Sequence, residues 1–339
     1  MRYLTAFAWS FLLALIGYVS LIPVLGPTPV TAEYWVQELL VIKRDLVKQY
    51  ADRQKIIIAS GSSTLFSIDA KLLSEQLNMP VINFGLMGGM PLERILEETD
   101  AATSRNDIVI LPLEPDYFCR EEVSGFEEWV LRNALAWDHT YWHKLSLSQR
   151  LLAIRYLGLR FPLEMLQARF DAAFRPAVTD PRLFTLNASA VLEKFAKPPP
   201  LADNLYSVYT MSRYGDIKNT SESGYSGAPR RADQPLKICA QSSAQLKAFV
   251  AQQKNKGVSV YFANTPYVRL DNLDAAAVEQ ASKQFSSELG QVAPVLDDRA
   301  ALIFSRELFL NSALHLNIQG RDLRTKLLLE TLRPVLKTH

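Results

Sequence analysis

A serine in a tight turn, directly after an apolar run, is the first place in this chain where chemistry is possible. Gly61-Ser62-Ser63 follows Lys55-Ile56-Ile57-Ile58-Ala59, and ligands in open α/β sheets bind beyond the carboxyl ends of the strands. A hydroxyl at such a turn is exposed, and the serine's own backbone N–H can help to bind an oxyanion. An ordinary turn serine is the plainer reading of Gly-Ser-Ser alone. A base for that hydroxyl is available in Asn311-Ser-Ala-Leu-His315-Leu-Asn-Ile-Gln-Gly320. His315 sits in a turn before a helix, and activating a serine takes an accessible, near-neutral imidazole. Of the four histidines, His339 is terminal. His139 and His143 have the i, i+4 spacing of a metal pair, but no third ligand stands nearby, so they read as surface or packing residues. No metal and no organic cofactor is expected. Asn83-Phe-Gly85-Leu-Met-Gly88-Gly89 adds glycines at a strand end, where backbone N–H groups can approach a ligand closely.

These residues need a frame, and the apolar pattern supplies one. Lys55–Ala59, Pro80–Asn83, Asp107–Leu111 and Val258–Phe262 are short apolar runs of the kind that fill buried parallel strands. Helical segments alternate with them. One is capped by Asp69 and carries Leu72, Leu73 and Leu77; one opens at Pro91; one runs through Leu246, Phe249 and Val250; one spans about Asp274–Leu289; the last begins near Gly320 with Leu323, Leu327 and Leu328 facing inward. This alternation predicts a parallel, doubly wound α/β sheet. Residues from about 120 to 235 break the pattern and read as an insertion, helical over Trp129–Phe174 and irregular through Lys197-Pro198-Pro199-Pro200 and Gly215–Pro235.

Ahead of this domain, Leu4 to Leu25 carry no charge. As a helix they would extend roughly 33 Å, enough for a hydrocarbon core of about 30 Å. Arg2 precedes them, so the N-terminus should stay inside. Small residues at Val30 and Ala32 leave cleavage as a signal peptide open, but the segment is longer than the usual apolar region of one. A helix over Ala32–Tyr50 follows, with Leu39, Ile42 and Leu46 on one face, Lys43, Arg44 and Lys48 off it, and Tyr34 and Trp35 where interfacial aromatics are common. The expected division is an anchor or signal peptide over 1–31 and one α/β domain over 32–339, with the insertion at about 120–235. The chain has 339 residues and a formal net charge of +2. With no basic stripe, nucleic-acid binding has no electrostatic support. Cys119 and Cys239 match no CxxC or zinc spacing and are expected as buried free thiols rather than as a pair.

The ordered set Ser60-Gly-Ser-Ser-Thr-Leu-Phe-Ser-Ile-Asp69, Val81-Ile-Asn-Phe-Gly85, Asp107-Ile-Val-Ile-Leu-Pro-Leu-Glu-Pro-Asp116 and His315-Leu-Asn-Ile-Gln-Gly320 resembles the SGNH/GDSL hydrolase superfamily. Within it, the set is most similar to membrane-anchored, DltD-like proteins of bacterial envelope and exopolysaccharide clusters. The blocks together span 31 of the 339 residues. The resemblance implies a flavodoxin-like three-layer α/β/α fold with a parallel five-stranded sheet, a helical insertion and an N-terminal transmembrane helix. Its nucleophile falls on Ser62, with Ser63 the alternative, its base on His315, and its oxyanion glycine on Gly88, with Gly85 beside it. Two positions depart from the pattern. Glu114 stands where the family has an oxyanion asparagine, so its carboxylate must be turned away, protonated or differently employed. Asn311 stands where the family has an acid; Asp297 or Asp298 could substitute.

The resemblance implies a serine-dependent esterase or acyltransferase acting on O-acyl groups of an envelope or extracellular polysaccharide. It would be a single-pass protein of the inner (cytoplasmic) membrane with its main domain in the periplasm or extracytoplasmic space. The Glu114 and Asn311 departures favour a rival, a catalytically reduced module that assists a membrane-bound acyltransferase or a polysaccharide-export complex. A lipid-handling protein with the insertion as an apolar lid is a third reading.

Overall fold

A computed structural model describes residues 2–28, 35–119, 126–138, 140–176, 186–198, 206–218 and 224–337. His139, His339, Tyr34 and the small residues Val30 and Ala32 lie outside the described residues. The chain divides into two compact units, one of residues 1–37 with 123–187, the other of residues 38–122 with 188–339.

In the larger unit, four strands form a parallel sheet: β1 (Ile56–Ser60), β2 (Val81–Gly85), β3 (Ile108–Leu111) and β4 (Ser259–Phe262), in the order β2-β1-β3-β4. The first three are buried along their whole length, as a parallel sheet covered on both faces requires. Ile56, Ile58, Ile108 and Ile110 pack with Leu73 of α4 (Ala70–Leu77) and Leu328 and Leu332 of α13 (Ile318–Leu336). Ile57 and Val109, pointing the other way by the two-residue period of a strand, are equally buried. α5 (Leu92–Ala102) packs on β1, and α11 (Ala240–Lys256) packs on β4 and α5. Lys55 and Asp107 form a buried 2.6 Å ion pair at the start of β1 and β3, the end of the sheet away from Ser62.

Among the described residues the expected fifth strand is not in the sheet. Beside β4 runs Pro294–Leu296, held by Phe262 N–H to Pro294 O at 2.8 Å and Leu296 N–H to Phe262 O at 2.9 Å. That makes a single parallel bridge, Phe262 with Val295; Pro294 has no N–H to extend it. A separate parallel pair, β5 (Tyr267–Val268) and β6 (Ile303–Phe304), lies outside the main sheet. The insertion is also not one body. Residues 123–187 belong to the smaller unit and 188–235 to the α/β unit. The latter's described residues over 215–218 and 224–235 are irregular, as expected, with no helix or strand, yet the segment hydrogen-bonds into the domain: Asn83 N–H donates to Tyr214 O at 2.8 Å and Ile217 N–H to Leu65 O at 3.2 Å.

Four further expectations change. Cys119 and Cys239 are bonded as a disulfide, with Cα atoms 4.9 Å apart, rather than free. Lys43, expected off the apolar face of α2 (Trp35–Lys48), is fully buried. Its ammonium donates to the carbonyls of Asn83 and Gly215, and burial pushes its pKa down to about 7. Trp35 is buried rather than interfacial. On α13, Leu323 is exposed; the inward positions are Arg321, Arg324, Thr325, Leu328, Leu329 and Leu332. Arg324 is accommodated there by Asp297 at 2.7 Å and Asn264 O at 3.0 Å.

In the smaller unit, α1 (Arg2–Leu25) is long and apolar enough to cross a membrane. Its last turns pack with α6 (Phe126–Trp137), α7 (Tyr141–Lys144), α8 (Leu147–Leu157) and α9 (Phe161–Phe174) around Ile22, Leu25, Leu135, Trp142 and Phe161. His143 is exposed on α7.

Candidate active site

β1 ends at Ser60, Gly61 turns the chain, and Ser62 opens α3 (Ser62–Ser67). The turn is built around Glu114, three residues past the end of β3. The Glu114 carboxylate accepts the Ser60 hydroxyl, the Gly61 N–H at 3.1 Å and the Ser63 N–H at 2.8 Å. A Cβ at position 61 would stand 2.6 Å from Glu114 Oε1 and 2.7 Å from the Tyr117 hydroxyl, so glycine is what lets the carboxylate reach the backbone. Glu114 is therefore turned away from any reacting atom and holds the turn that carries Ser62. Burial pushes its pKa up, against the pull of these hydrogen bonds.

His315 arrives from a tight loop closed by the antiparallel bridge Phe309–Leu316 and by Leu310 N–H to His315 O at 2.9 Å. The loop brings Asn311 and His315 side by side, and Ser67 Oγ reaches Leu314 O at 3.3 Å. Phe66 stacks under the imidazole, ring centroids 4.3 Å apart. His315 Nε2 is 2.9 Å from Ser62 Oγ, and His315 Nδ1 is 2.8 Å from Asn311 Oδ1. Asn311 Nδ2 donates to the Tyr206 hydroxyl at 2.7 Å, which turns its carbonyl oxygen to the histidine. Nδ1 then carries the proton and Nε2 is free to accept from Ser62. Burial without a charged partner lowers the His315 pKa to about 4, so the ring is neutral at neutral pH.

Ser62 is thus the serine joined to the histidine. Ser63 is buried and its amide is committed to Glu114. Gly88 lies against Ser62: a Cβ there would be 3.2 Å from Ser62 Oγ. The Tyr117 hydroxyl donates to Gly88 O at 3.1 Å, while the amides of Ser62 and Gly88 have no partner among the described residues. Gly85 does not share that position. Its N–H donates to Asn83 Oδ1 at 3.0 Å, and a Cβ would meet Leu65 N at 2.4 Å; it is the glycine that lets α3 pack on β2. Asn83 pins α3 through Nδ2 to Thr64 O at 2.7 Å and Ile68 O at 3.1 Å. The alternative acids are used elsewhere. Asp297 binds Asn264 N–H and Arg324, both at 2.7 Å, and Asp298 binds the Ser282 hydroxyl and Ala300 N–H.

Tyr206, Tyr117 and Phe66 are site residues that the sequence did not single out. Tyr206 follows the Pro-rich run in a stretch with no periodicity, Phe66 lies inside the block after β1 with nothing to mark it out, and Tyr117 follows Asp116 just beyond another. Among the described residues no group of three or more His, Cys, Asp or Glu side chains is arranged to hold a metal ion. The geometry places the Ser62 hydroxyl within hydrogen-bond reach of a neutral imidazole, near two amides that have no partner among the described residues. Set against known protein families, curated proteins and solved structures, the chain matches none of them.

Proposed function

We propose that this protein is a serine-dependent esterase or acyltransferase of the SGNH/GDSL kind, acting on O-acyl groups of an envelope or extracellular polysaccharide. The hydrogen-bonded series Ser62–His315–Asn311 carries the reading. In it, Ser62 Oγ attacks the acyl carbonyl carbon while His315 Nε2 takes the hydroxyl proton. The oxyanion is held by the Ser62 and Gly88 amides. Collapse expels the sugar alcohol, which takes the proton from His315 and leaves the acyl group as an ester on Ser62. Water, or the hydroxyl of an acceptor sugar, then gives its proton to His315 and attacks that ester, releasing acid or transferred ester and restoring Ser62.

The strand order β2-β1-β3-β4 is compatible with flavodoxin-like layering. α1 supports anchoring to the inner membrane with the catalytic domain outside the cytoplasm, and the disulfide suits an oxidising compartment. The polysaccharide class rests on the resemblance. The lack of a carboxylate on His315 favours a second reading, a reduced module serving a membrane-bound acyltransferase or export complex. Release of acetate from an activated acetyl ester by the full-length protein tests the first reading. Loss of turnover in Ser62→Ala supports it; turnover equal to wild type in Ser62→Ala overturns it.

A further inference from the structure

We infer that the α8–α9 hairpin lies in the lipid bilayer beside α1, as an element that enters the extracytoplasmic leaflet without crossing it. The inference rests on reading α1 as a membrane span. On α1, every residue from Tyr3 to Gly17 is exposed, but at 1.5 Å per residue that stretch rises only about 22 Å, short of a hydrocarbon core of about 30 Å. The apolar helix continues to Leu25, so the bilayer extends past Tyr18, where α1 is already packed in its own unit. Whatever surrounds Tyr18–Leu25 shares the lipid.

What surrounds it includes α8 and α9. The Tyr18 hydroxyl donates to Gly158 O, in the turn between them, at 2.5 Å. Further along, Arg169 of α9 donates to Val24 O at 2.7 Å and to the Thr28 hydroxyl at 2.8 Å. α9 therefore runs beside the last turns of α1, and the hairpin's tip is level with Tyr18, about 10 Å back from Leu25 along the helix.

The outward face of this hairpin is wrong for water. A helix on a soluble surface buries one apolar stripe and shows a polar face opposite. Here Ala153, Leu157, Met165 and Ala168 are buried, yet Leu151, Leu163, Leu166, Phe170 and Phe174 are exposed on the other side, and Leu159 at the tip is 80% exposed. A contiguous exposed patch of this kind marks a partner or a membrane, and its continuity with α1 selects the membrane. It follows that removing α1 would strip Ile22 and Leu25 from the core of this unit, so the segment is kept as an anchor rather than cleaved.

The test uses the full-length chain carrying one cysteine at a time, Leu151→Cys, Leu159→Cys or Leu163→Cys. Each is nitroxide-labelled and reconstituted into vesicles of phosphatidylethanolamine and phosphatidylglycerol. The native cysteines are disulfide-bonded, so only the introduced thiol is labelled. Leu12→Cys on α1 reports the span, and Lys283→Cys on α12 (Ala275–Gly290) reports water. The expected result is that collisions with oxygen exceed those with a water-soluble nickel chelate at all three hairpin sites and at Leu12, with the reverse at Lys283. Nickel access at the hairpin equal to that at Lys283, with Leu12 still in lipid, overturns the inference and leaves the anchor standing. Nickel access at Leu12 as well overturns both. Labels shielded from oxygen and nickel alike mean that protein covers the face, which also overturns it.

Discussion

Asn311 Oδ1 accepts the Nδ1 proton of His315 at 2.8 Å, so the imidazole that faces Ser62 is oriented by a dipole rather than by a charge. Orientation and tautomer are preserved, because Tyr206 fixes the asparagine's amide. Stabilisation of the imidazolium that forms when His315 takes the serine proton is what the site lacks.

Replacing Asn311 by aspartate supplies that charge. In serine-protease triads the reverse change costs about 10⁴ in kcat, largely through the wrong tautomer; here the tautomer is already right, so Asn311→Asp should raise kcat by roughly tenfold. It should also raise the His315 pKa, since a neighbouring carboxylate favours the cation. Kinetics on an activated acetyl ester across pH read both effects. An unchanged rate and an unchanged profile would mean that the residue does not act on the base.

The pH dependence of the wild type follows from burial. His315 titrates at about 4 instead of 6.5, so kcat/KM should stay level from neutral pH down and fall by half near pH 4. Stability changes over the same window. The unfolded chain takes up the proton first as pH falls below 6.5, so the contribution of the buried neutral ring is complete above 6.5 and is lost as pH falls to 4. The loss is about 3 kcal/mol. Urea unfolding at pH 7 and pH 4.5 should show a smaller loss for His315→Gln than for wild type.

Glu114 is a positioning residue, and both of its carboxylate oxygens accept hydrogen bonds from the turn. Glu114→Gln would turn an NH₂ towards the N–H of Gly61 or Ser63. Setting two donors against each other costs about 1–3 kcal/mol and shifts the turn under Ser62, so kcat should fall while KM changes little. Ser60→Ala removes one hydroxyl and spares both amides, and should be the milder change in both melting and rate.

Two glycines separate packing from catalysis. At Gly88 the nearest obstacle to a methyl is Ser62 Oγ at 3.2 Å, while at Gly85 it is the Leu65 backbone at 2.4 Å. Gly88→Ala should therefore lower kcat about tenfold through misplacement of the nucleophile with little change in melting. Gly85→Ala should destabilise by roughly 1–3 kcal/mol.

Four core strands and the helices between them were readable because buried parallel strands are short apolar runs and their helices carry caps such as Asp69 and Asp274. Among the described residues the expected fifth strand did not form: Pro294–Leu296 makes a single bridge to Phe262, and Pro294 has no N–H to extend it. Lys43 looked solvated because a lysine on a helix normally is; only the fold brings the Asn83 and Gly215 carbonyls to it. The cysteine pair, 120 residues apart, has no local signature. Ser62, His315 and Gly88 could be proposed from turn position and order, but Ser62 and Ser63 are told apart only in the fold, by the His315 contact to Ser62 and the Glu114 contact to Ser63. Tyr206 needed the loop it belongs to.

The central claim is that Ser62 is a nucleophile activated by His315, and covalent trapping tests it most directly. Full-length protein treated with a fluorophosphonate should gain a single adduct, located by peptide mass spectrometry on Ser62, absent in Ser62→Ala and strongly slowed in His315→Gln. An adduct on Ser63, or labelling of the native protein no faster than of the same protein unfolded in urea, would contradict the account.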